Sequence, residues 1–573
     1  MAGFEGFVGA FRRRVMETPR RTAVRFCAGE DREELSYEAL DAAARSVARW
    51  LADRAEPGDR ALLSFFPGTG FIQAFLGCLY AGVVPVPVPA QGGHSQQEAR
   101  TDGIAADSGA RLVLAEETLA EALTADGRDL EPFAADAGTL AFLQYTSGST
   151  SDPKGVMVPH GALVHNIGLM RRSHGWHSGM TWCSWLPAYH DMGLIAMMLT
   201  PLHLGGTAVL MSPTEFLKRP VSWLRLIDQY GADVSCAPNF AYDLCSRLLS
   251  DEQIAGLDLS RWRYACNGAE PVDAGTLARF AKRFAPAGFR TEALLPGYGM
   301  AETTLYVSGT RADSAPVVLR VSADGLAAGS LTPAEPGEPA QDLVSSGIVR
   351  DLDVRIVDPG TARELPDGQV GEIWIRGDSV AHGYWRRPEQ TAQAFGAVTA
   401  SGEGGFLRTG DLGALDAGEL YVTGRLKEMI IVHGRNLYPH DIEREVRALD
   451  KAFAELPAAV FSVRPGAHEE IVVVQELRAR GLGADELRAL ARGAKSRLSA
   501  VLGVRVGGIV LVRVGQVRRT TSGKIQRTRM RQLFEQGGLA PVHAELDAQL
   551  AAAFAQPAAS APLPATNREA VHR

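Results

Sequence analysis

Short apolar runs alternate with longer amphipathic ones over the first part of the chain. Residues 61–66, 83–88, 111–115 and 206–211 are apolar enough to be buried strands, while residues 37–51 and 220–230 carry apolar positions at helical spacing. This alternation predicts α/β layers built on mostly parallel sheets. Beyond about residue 345 the texture changes. Residues 354–357, 371–376 and 419–422 are short strand-like runs separated by Gly, Pro and Asp, which predicts a smaller β-rich subdomain. Residues 441–449, 471–477, 484–498 and 508–514 then predict a compact α+β unit that ends with a basic stretch through Arg531. After Ala555 the sequence QPAASAPLPAT cannot bury a core and reads as a flexible tail. No internal repeat is present.

Two stretches, residues 61–97 and 192–214, contain no Asp, Glu, Lys or Arg. Pro67, Gly68 and Gly70 break the first and Pro85, Pro87 and Pro89 end it; Pro201, Gly205 and Gly206 break the second. Neither leaves a continuous apolar helix of about 20 residues, so no integral membrane segment is expected. Both read as buried strand–helix–strand units of a parallel sheet. The N-terminus lacks the order of a secretory signal, because Glu5 interrupts its apolar run and the Arg cluster follows it.

At 573 residues the chain is too long for one core, and three or four compact units are expected. The net charge of -7 supplies no basic excess for neutralising phosphates, which excludes a nucleic-acid binder. The six cysteines (27, 78, 183, 236, 245 and 266) form no CxxC pair and read as free, mostly buried thiols of a reducing cytoplasm. His160 and His165 are spaced wrongly for one helix face, so no zinc site is expected.

The ten residues TSGSTSDPKG (146–155) crowd glycines, hydroxyls and one lysine between two apolar runs, 140–145 and 156–158. Glycine lets backbone N–H groups turn inward, hydroxyls donate and lysine adds a point charge, so the composition suits an anion as well as an ordinary solvent loop. It is not a Walker loop, since Lys154 follows Pro153 and precedes Gly155, and no GxGxxG stands at a strand-to-helix turn.

Four further stretches decide between those readings: LPGYGMAET (295–303), RTGD (408–411), GRLKEMIIVHGRNLYPHDIE (424–443) and RRTTSGKIQR (518–527). In this order, with the loop, they resemble the adenylate-forming superfamily of acyl-CoA synthetases, nonribosomal adenylation domains, luciferases and fatty acyl-AMP ligases. The resemblance spans roughly residues 5–535. It implies a large N-terminal domain of αβ-layered, mostly parallel sheets plus a β-rich subdomain, residues 1–424. It further implies a small mobile α+β domain, residues 425–540, with a helix and a flexible tail over 541–573. By that resemblance Thr146, Ser147, Gly148, Ser149 and Thr150 cradle the β- and γ-phosphates of ATP, with Lys154 an auxiliary charge. Lys524 is then the catalytic lysine, bridging a substrate carboxylate and the α-phosphate. Glu302 matches the carboxylate that holds Mg²⁺, and Asp411 the acceptor of both ribose hydroxyls. Arg425 matches a second ribose and phosphate contact. Tyr298 lies on one face of adenine and Asn267, Gly268, Ala269 and Glu270 on its other side, with Gly299, Met300, Ala301 and Thr303 completing the nucleotide-binding run. Lys427 falls on the hinge.

Within the superfamily, three features resemble the fatty acyl-AMP ligase branch. WLPAYHDMGLI (185–195) is similar to its acyl-pocket motif, placing His190 at the pocket mouth and among the catalytic residues; a satisfied buried His-Asp pair is the other reading. Ala301 stands where many relatives have threonine. Residues 316–347 are similar to the insertion that distinguishes these ligases from acyl-CoA synthetases, and Val317, Val318, Leu319 and Leu326 are apolar enough to anchor it on the large domain, where it would limit rotation of the small one. Met192 and Gly193, with Pro238, Asn239, Phe240, Ala241 and Tyr242, would line a tunnel for an alkyl chain. The implied reaction activates a fatty acid to acyl-AMP with release of pyrophosphate. The acyl group then passes to the phosphopantetheine arm of an acyl carrier protein, in lipid, polyketide or lipopeptide biosynthesis. A fatty acyl-CoA synthetase is the near alternative and an inactive nucleotide-binding scaffold the distant one.

Overall fold

The computed structural model describes residues 4–90, 95–146, 154–432, 435–454, 456–465, 469–479, 481–502, 504–520 and 524–555. The chain forms two compact units rather than three or four, dividing between Lys427 and Glu428, a few residues past the expected boundary. The reason lies in one strand of the large unit. Leu294–Gly299 pairs in parallel with Tyr264–Asn267 through its first half and antiparallel with Tyr306–Gly309 through its second. The β-rich region therefore has no core boundary of its own. Among the described residues it continues the parallel strands into a single 13-stranded mixed sheet.

The parallel part of that sheet contains Thr22–Ala28, Thr207–Met211, Thr181–Ser184, Val234–Ala237 and Tyr264–Asn267. Its antiparallel part contains Ile348–Val349, Glu419–Arg425, Leu407–Asp416, Gly371–Arg376 and Asp353–Val357. A second, parallel sheet joins Val84–Val88, Arg60–Ser64 and Leu112–Leu114, so the first uncharged stretch is a buried strand–helix–strand unit. Among the described residues no helix is long and apolar enough to cross a membrane. All six cysteines are free, and five of them are buried.

Helix pairing in the large unit follows from the sequence. Ser36 opens the helix Tyr37–Ala52 by accepting a hydrogen bond from the N–H of Ala39 at 3.1 Å. Leu40, Ala44, Val47, Ala48 and Leu51 recur at helical spacing and are buried. They meet the helix Gly70–Ala81 so closely that a Cβ on Gly77 would lie 2.3 Å from Val47 Cγ1. Gly77→Ala should therefore destabilise the large unit by about 1–3 kcal/mol through overpacking. Chemical denaturation measures this, and an unchanged midpoint would mean the two helices separate freely.

Residues 316–347 fold onto the large unit as a hairpin of Val318–Ser322 with Ala340–Val344, joined through the short helix Ala323–Ala327. Its anchors are only partly those expected. Val321, Leu326, Leu331, Leu343 and Val344 are buried, whereas Val317 and Val318 are 42% and 45% exposed. Sequence alone could not tell which apolar residues of so short a hairpin face inward.

The small unit is a four-stranded sheet in sequence order, Ala458–Val463, Glu470–Leu477, Val506–Arg513 and Pro541–Leu546. Alternate residues serve opposite faces. Val460, Val473 and Ile509 pack with the helices Pro439–Leu449 and Ala484–Leu502, while Phe461, Val472 and Val510 pack with Met530 and Phe534 of Arg527–Glu535. The final strand corrects the expectation that this unit ends at residue 540, because Pro541–Leu546 completes its sheet and the helix Ala548–Ala555 follows. The Ala/Pro/Ser tail from residue 556 lies outside the described residues.

Candidate active site

The strands on either side of the hydroxyl-rich stretch pair with each other. Leu140–Tyr145 pairs antiparallel with Gly155–Pro159, and the N–H of Thr146 donates to the carbonyl of Lys154 at 3.2 Å. Ser147, Gly148, Ser149 and Thr150 lie outside the described residues. Arg100, which no motif marks, reaches this hairpin: its Nη2 donates to the Thr146 carbonyl at 3.1 Å, and burial lowers its pKa. It sits in a polar helix, Ser95–Ser108, whose pattern looks like any solvated surface.

Tyr298, Asp411 and Arg425 converge, and Tyr298 is part-buried. The antiparallel register sets Asp411 opposite Arg425, and Asp411 is only 6% exposed. Its Oδ1 accepts from Arg425 Nε at 3.1 Å and its Oδ2 from the Tyr298 hydroxyl at 2.7 Å. Burial first, and the Asp411 charge second, push the Tyr298 phenol well above its usual range. Both thus act as donors to one recessed carboxylate.

Asn267 is the last residue of the strand Tyr264–Asn267, and Ala269 sits just past its end. Ala269 has φ 70°, a left-handed conformation that costs a non-glycine residue energy and concentrates at functional sites. Asn267 is almost fully buried; its Nδ2 donates to Asn239 Oδ1 at 3.3 Å, yet its own Oδ1 has no partner. Glu270 accepts from the Phe240 N–H at 2.6 Å, beside the Asn239 that Asn267 meets. Gly268 approaches the carbonyl of Gly297, to which a Cβ would come within 3.0 Å.

In the run 299–303 the structure divides the expected binders by role. Gly299 is dictated by the fold, since a Cβ there would meet the Leu305 carbonyl at 1.8 Å. Thr303 is buried and donates to the Met300 carbonyl at 3.0 Å, which directs its hydroxyl into the turn. Glu302 follows the buried Ala301 and accepts at Oε1 from the hydroxyl of Tyr384 at 2.8 Å. Burial raises its carboxyl pKa, and Arg425 and Asp411 act on it electrostatically in opposite directions. The Lys154 ammonium stands 4.7 Å from the centre of the same Tyr384 ring. Tyr384 is therefore a member of the site that motif reading missed.

Among the described residues no group of three or more His, Cys, Asp or Glu could cage a metal. Mg²⁺, which takes one or two carboxylates plus phosphate oxygens, needs no such cage, and the resemblance assigns Glu302 to it.

The acyl-pocket residues split in two. His190 Nδ1 lies 2.7 Å from Asp191 Oδ1, and both side chains are mostly covered, so the His-Asp pair exists. Asp191 also accepts from the N–H of Met192, opening a π-helix, Met192–Leu199, whose residues, Gly193 included, are all buried. π-Helical turns are rare and frequent at functional sites. The carbonyl of Tyr189 accepts from Gln144, which ties this motif to the hairpin of Leu140–Tyr145 with Gly155–Pro159. Asn239 and Phe240 are partly exposed, but Pro238, Ala241 and Tyr242 are buried. Tyr242 packs against Trp223, Trp262 and Phe280 and donates to the Cys266 carbonyl at 2.8 Å. It belongs to the aromatic core, which corrects its assignment to a tunnel wall.

Lys524 belongs to the small unit. Its hairpin is built by backbone bonds from Thr520 N–H to the Lys524 carbonyl at 2.7 Å and from Gln526 N–H to the Arg518 carbonyl at 2.9 Å. Directly after it, Arg527 forms a two-point pair with Glu443 at 2.7 Å on both nitrogens and reaches Glu428 at 2.6 Å. Lys427, the expected hinge, is exposed and is the last residue of the large unit.

Asp411 with Arg425 and Tyr298, Glu302 with Tyr384, and the hairpin of Leu140–Tyr145 with Gly155–Pro159 all belong to one α/β unit, where the resemblance to adenylate-forming enzymes expects a nucleotide site. The family described as AMP-binding enzyme matches residues 11–385. The chain is similar to the medium-chain-fatty-acid–[acyl-carrier-protein] ligase JamA of Moorena producens, 39% identical over 80% of this chain and 83% of that one. It is 37% identical to the long-chain-fatty-acid–AMP ligase FadD26 of Mycobacterium marinum, over 84% of this chain and 88% of that one. Among solved structures it resembles a fatty acyl-adenylate ligase of Legionella pneumophila in complex with acyl adenylate and pyrophosphate. That match has a TM-score of 0.73 and 36% identity, and covers 95% of this chain and 98% of that one. The chain belongs to the AMP-binding enzyme family, in its fatty acyl-AMP ligase branch.

Proposed function

We propose that this protein activates a fatty acid with ATP to acyl-AMP and then delivers the acyl group to the phosphopantetheine thiol of an acyl carrier protein. The observation that carries the nucleotide half is the cluster of Asp411, Tyr298 and Arg425 together with the buried, unpartnered Oδ1 of Asn267. A buried acceptor without a donor is rare in a finished structure, and an adenine amino group would supply the donor. Asp411 would take the ribose hydroxyls.

In the first step a carboxylate oxygen of the fatty acid attacks the α-phosphorus of ATP. A new O–P bond forms, the bond to the bridging oxygen breaks, and pyrophosphate leaves with the electron pair. Two anions must approach, so Lys524 is assigned to bridge them and Arg425 to neutralise phosphate charge. When bound through Glu302, Mg²⁺ would offset charge on the phosphate oxygens. In the second step the thiolate sulfur attacks the acyl carbonyl and AMP departs. His190, held by Asp191, is assigned to the mouth of the acyl pocket. Lys427 is assigned as the hinge between the two steps.

The names of the two curated relatives support fatty acids and a carrier protein as reactants. Residues 428–573 hold more basic than acidic residues while the rest of the chain holds the acidic excess, which suits an acidic carrier. Free cysteines agree with a cytoplasmic location. Incubation with ATP, Mg²⁺ and a panel of fatty acids should yield acyl-AMP by mass spectrometry; no adenylate with any chain length would refute the reading.

The hairpin over 316–347 is the proposed restraint on acyl-CoA formation, and Val317 and Val318 are its exposed apolar pair. Replacing both with serine leaves the buried anchors alone. The double variant should retain adenylation and gain acyl-CoA product about tenfold, since a shift of about 1.4 kcal/mol changes a minor population by that factor. Unchanged acyl-CoA production by a folded, adenylating variant would remove this pair from the restraint.

A further inference from the structure

The large unit holds a connection that neither the motifs nor the proposed chemistry uses. The segment 381–385 is bonded on two sides. Along one side it pairs with the strand Gly155–Pro159: Met157 N–H donates to Gly383 O at 2.9 Å, His382 N–H to Met157 O at 3.0 Å, and Trp385 N–H to Gly155 O at 2.8 Å. On the other, the Ala381 N–H donates to the Glu302 carbonyl at 2.9 Å. Gly383 is needed for this path, having φ 119° and lying where a Cβ would meet Thr391 Cγ2 at 2.3 Å. Tyr384 itself is 8% exposed, its N–H donates to Thr391 Oγ1 at 2.9 Å and its ring meets Phe395 edge-on.

The ring is thus fixed by backbone and packing before any ligand arrives. From that fixed ring the hydroxyl donates to Oε1 of Glu302 at 2.8 Å, while the Lys154 ammonium lies over its face at 4.7 Å. A cation on the face draws electron density from the phenol and makes its O–H a stronger donor to a carboxylate. The hydroxyl engages only one oxygen of Glu302, Oε1.

We propose that Tyr384 is a positioning residue for adenylation. It fixes Glu302 by one carboxylate oxygen, in mechanical and electrostatic register with Lys154 at the end of the hairpin, so that the carboxylate is set to receive the metal that accompanies ATP. The proposal rests on the assignment of Glu302 as the metal-binding carboxylate.

Tyr384→Phe removes one oxygen atom and keeps the ring, its packing and its backbone pairing. The probe is Mn²⁺, its binding followed by electron paramagnetic resonance in the presence of a non-hydrolysable α,β-methylene ATP analogue and without fatty acid. The Phe variant should bind Mn²⁺ about tenfold more weakly, the scale of one hydrogen bond to a charged group, with the KM for fatty acid and the melting temperature near those of the wild type. Glu302→Gln should weaken Mn²⁺ binding as well, and the double variant should be no weaker than Glu302→Gln alone, because Tyr384 acts through Glu302. Losses that add in the double variant, or a Phe variant that binds like the wild type while Glu302→Gln does not, would overturn the role of Tyr384 and leave Glu302 as the metal ligand. Wild-type Mn²⁺ binding by Glu302→Gln would overturn both.

Discussion

Lys524→Ala is expected to cut acyl-adenylate formation by roughly 10²-fold or more, the scale for losing one preorganised electrostatic stabiliser. The reaction brings a carboxylate toward a triphosphate, and lysine is the compact charge assigned to the developing negative charge of that encounter. The substitution should spare the fold. The hairpin around Lys524 is closed by main-chain bonds and a contact from its own N–H to Thr520 Oγ1, none of which needs the ammonium. The neighbouring helix is tied down separately by Arg527, Glu443 and Glu428. Fatty-acid-dependent pyrophosphate release, measured beside the melting temperature, checks both halves. Wild-type release from a folded variant would remove Lys524 from the chemistry.

Asp411→Ala should weaken ATP binding by about 1.5–3 kcal/mol, the worth of hydrogen bonds to a charged group. The carboxylate is nearly buried and organises two neighbours, the guanidinium of Arg425 and the hydroxyl of Tyr298. Its removal deletes the ribose acceptor and also frees a cation and a phenol that it holds in place, so the upper half of that range is the expectation. Asp411→Asn retains the shape and loses the charge, and should fall between wild type and alanine. Calorimetric titration with a non-hydrolysable ATP analogue reads the change. Equal affinity in all three proteins would reduce Asp411 to a structural member of its strand.

What the sequence disclosed follows from how local each feature is. Asp411, Glu302 and Lys524 lie in short runs whose turn chemistry is written in adjacent residues, and the resemblance of those runs named them without a structure. Tyr384 has no such signal: its partner Glu302 lies 82 positions away, and only the pairing of 381–385 with the strand Gly155–Pro159 brings them together. The strand Pro541–Leu546 was hidden for the same reason, since an edge strand is defined by its register with Val506–Arg513 and not by its own pattern. MGLIAMML is apolar throughout, so periodicity has nothing to say about its π-helical turns. Tyr242 and Phe240 are both aromatic neighbours of one motif; only packing separates the core residue from the partly exposed one. Val317 and Val318 make the converse point, being apolar and yet turned outward.

The most direct measurement is a product assay on the wild-type protein with ATP, Mg²⁺, a fatty acid, and equal concentrations of coenzyme A and a phosphopantetheinylated acyl carrier protein. Acyl-AMP and acyl-carrier product with little acyl-CoA is the expected result for a fatty acyl-AMP ligase. Abundant acyl-CoA with an unloaded carrier would contradict it and assign the chain the chemistry of an acyl-CoA synthetase.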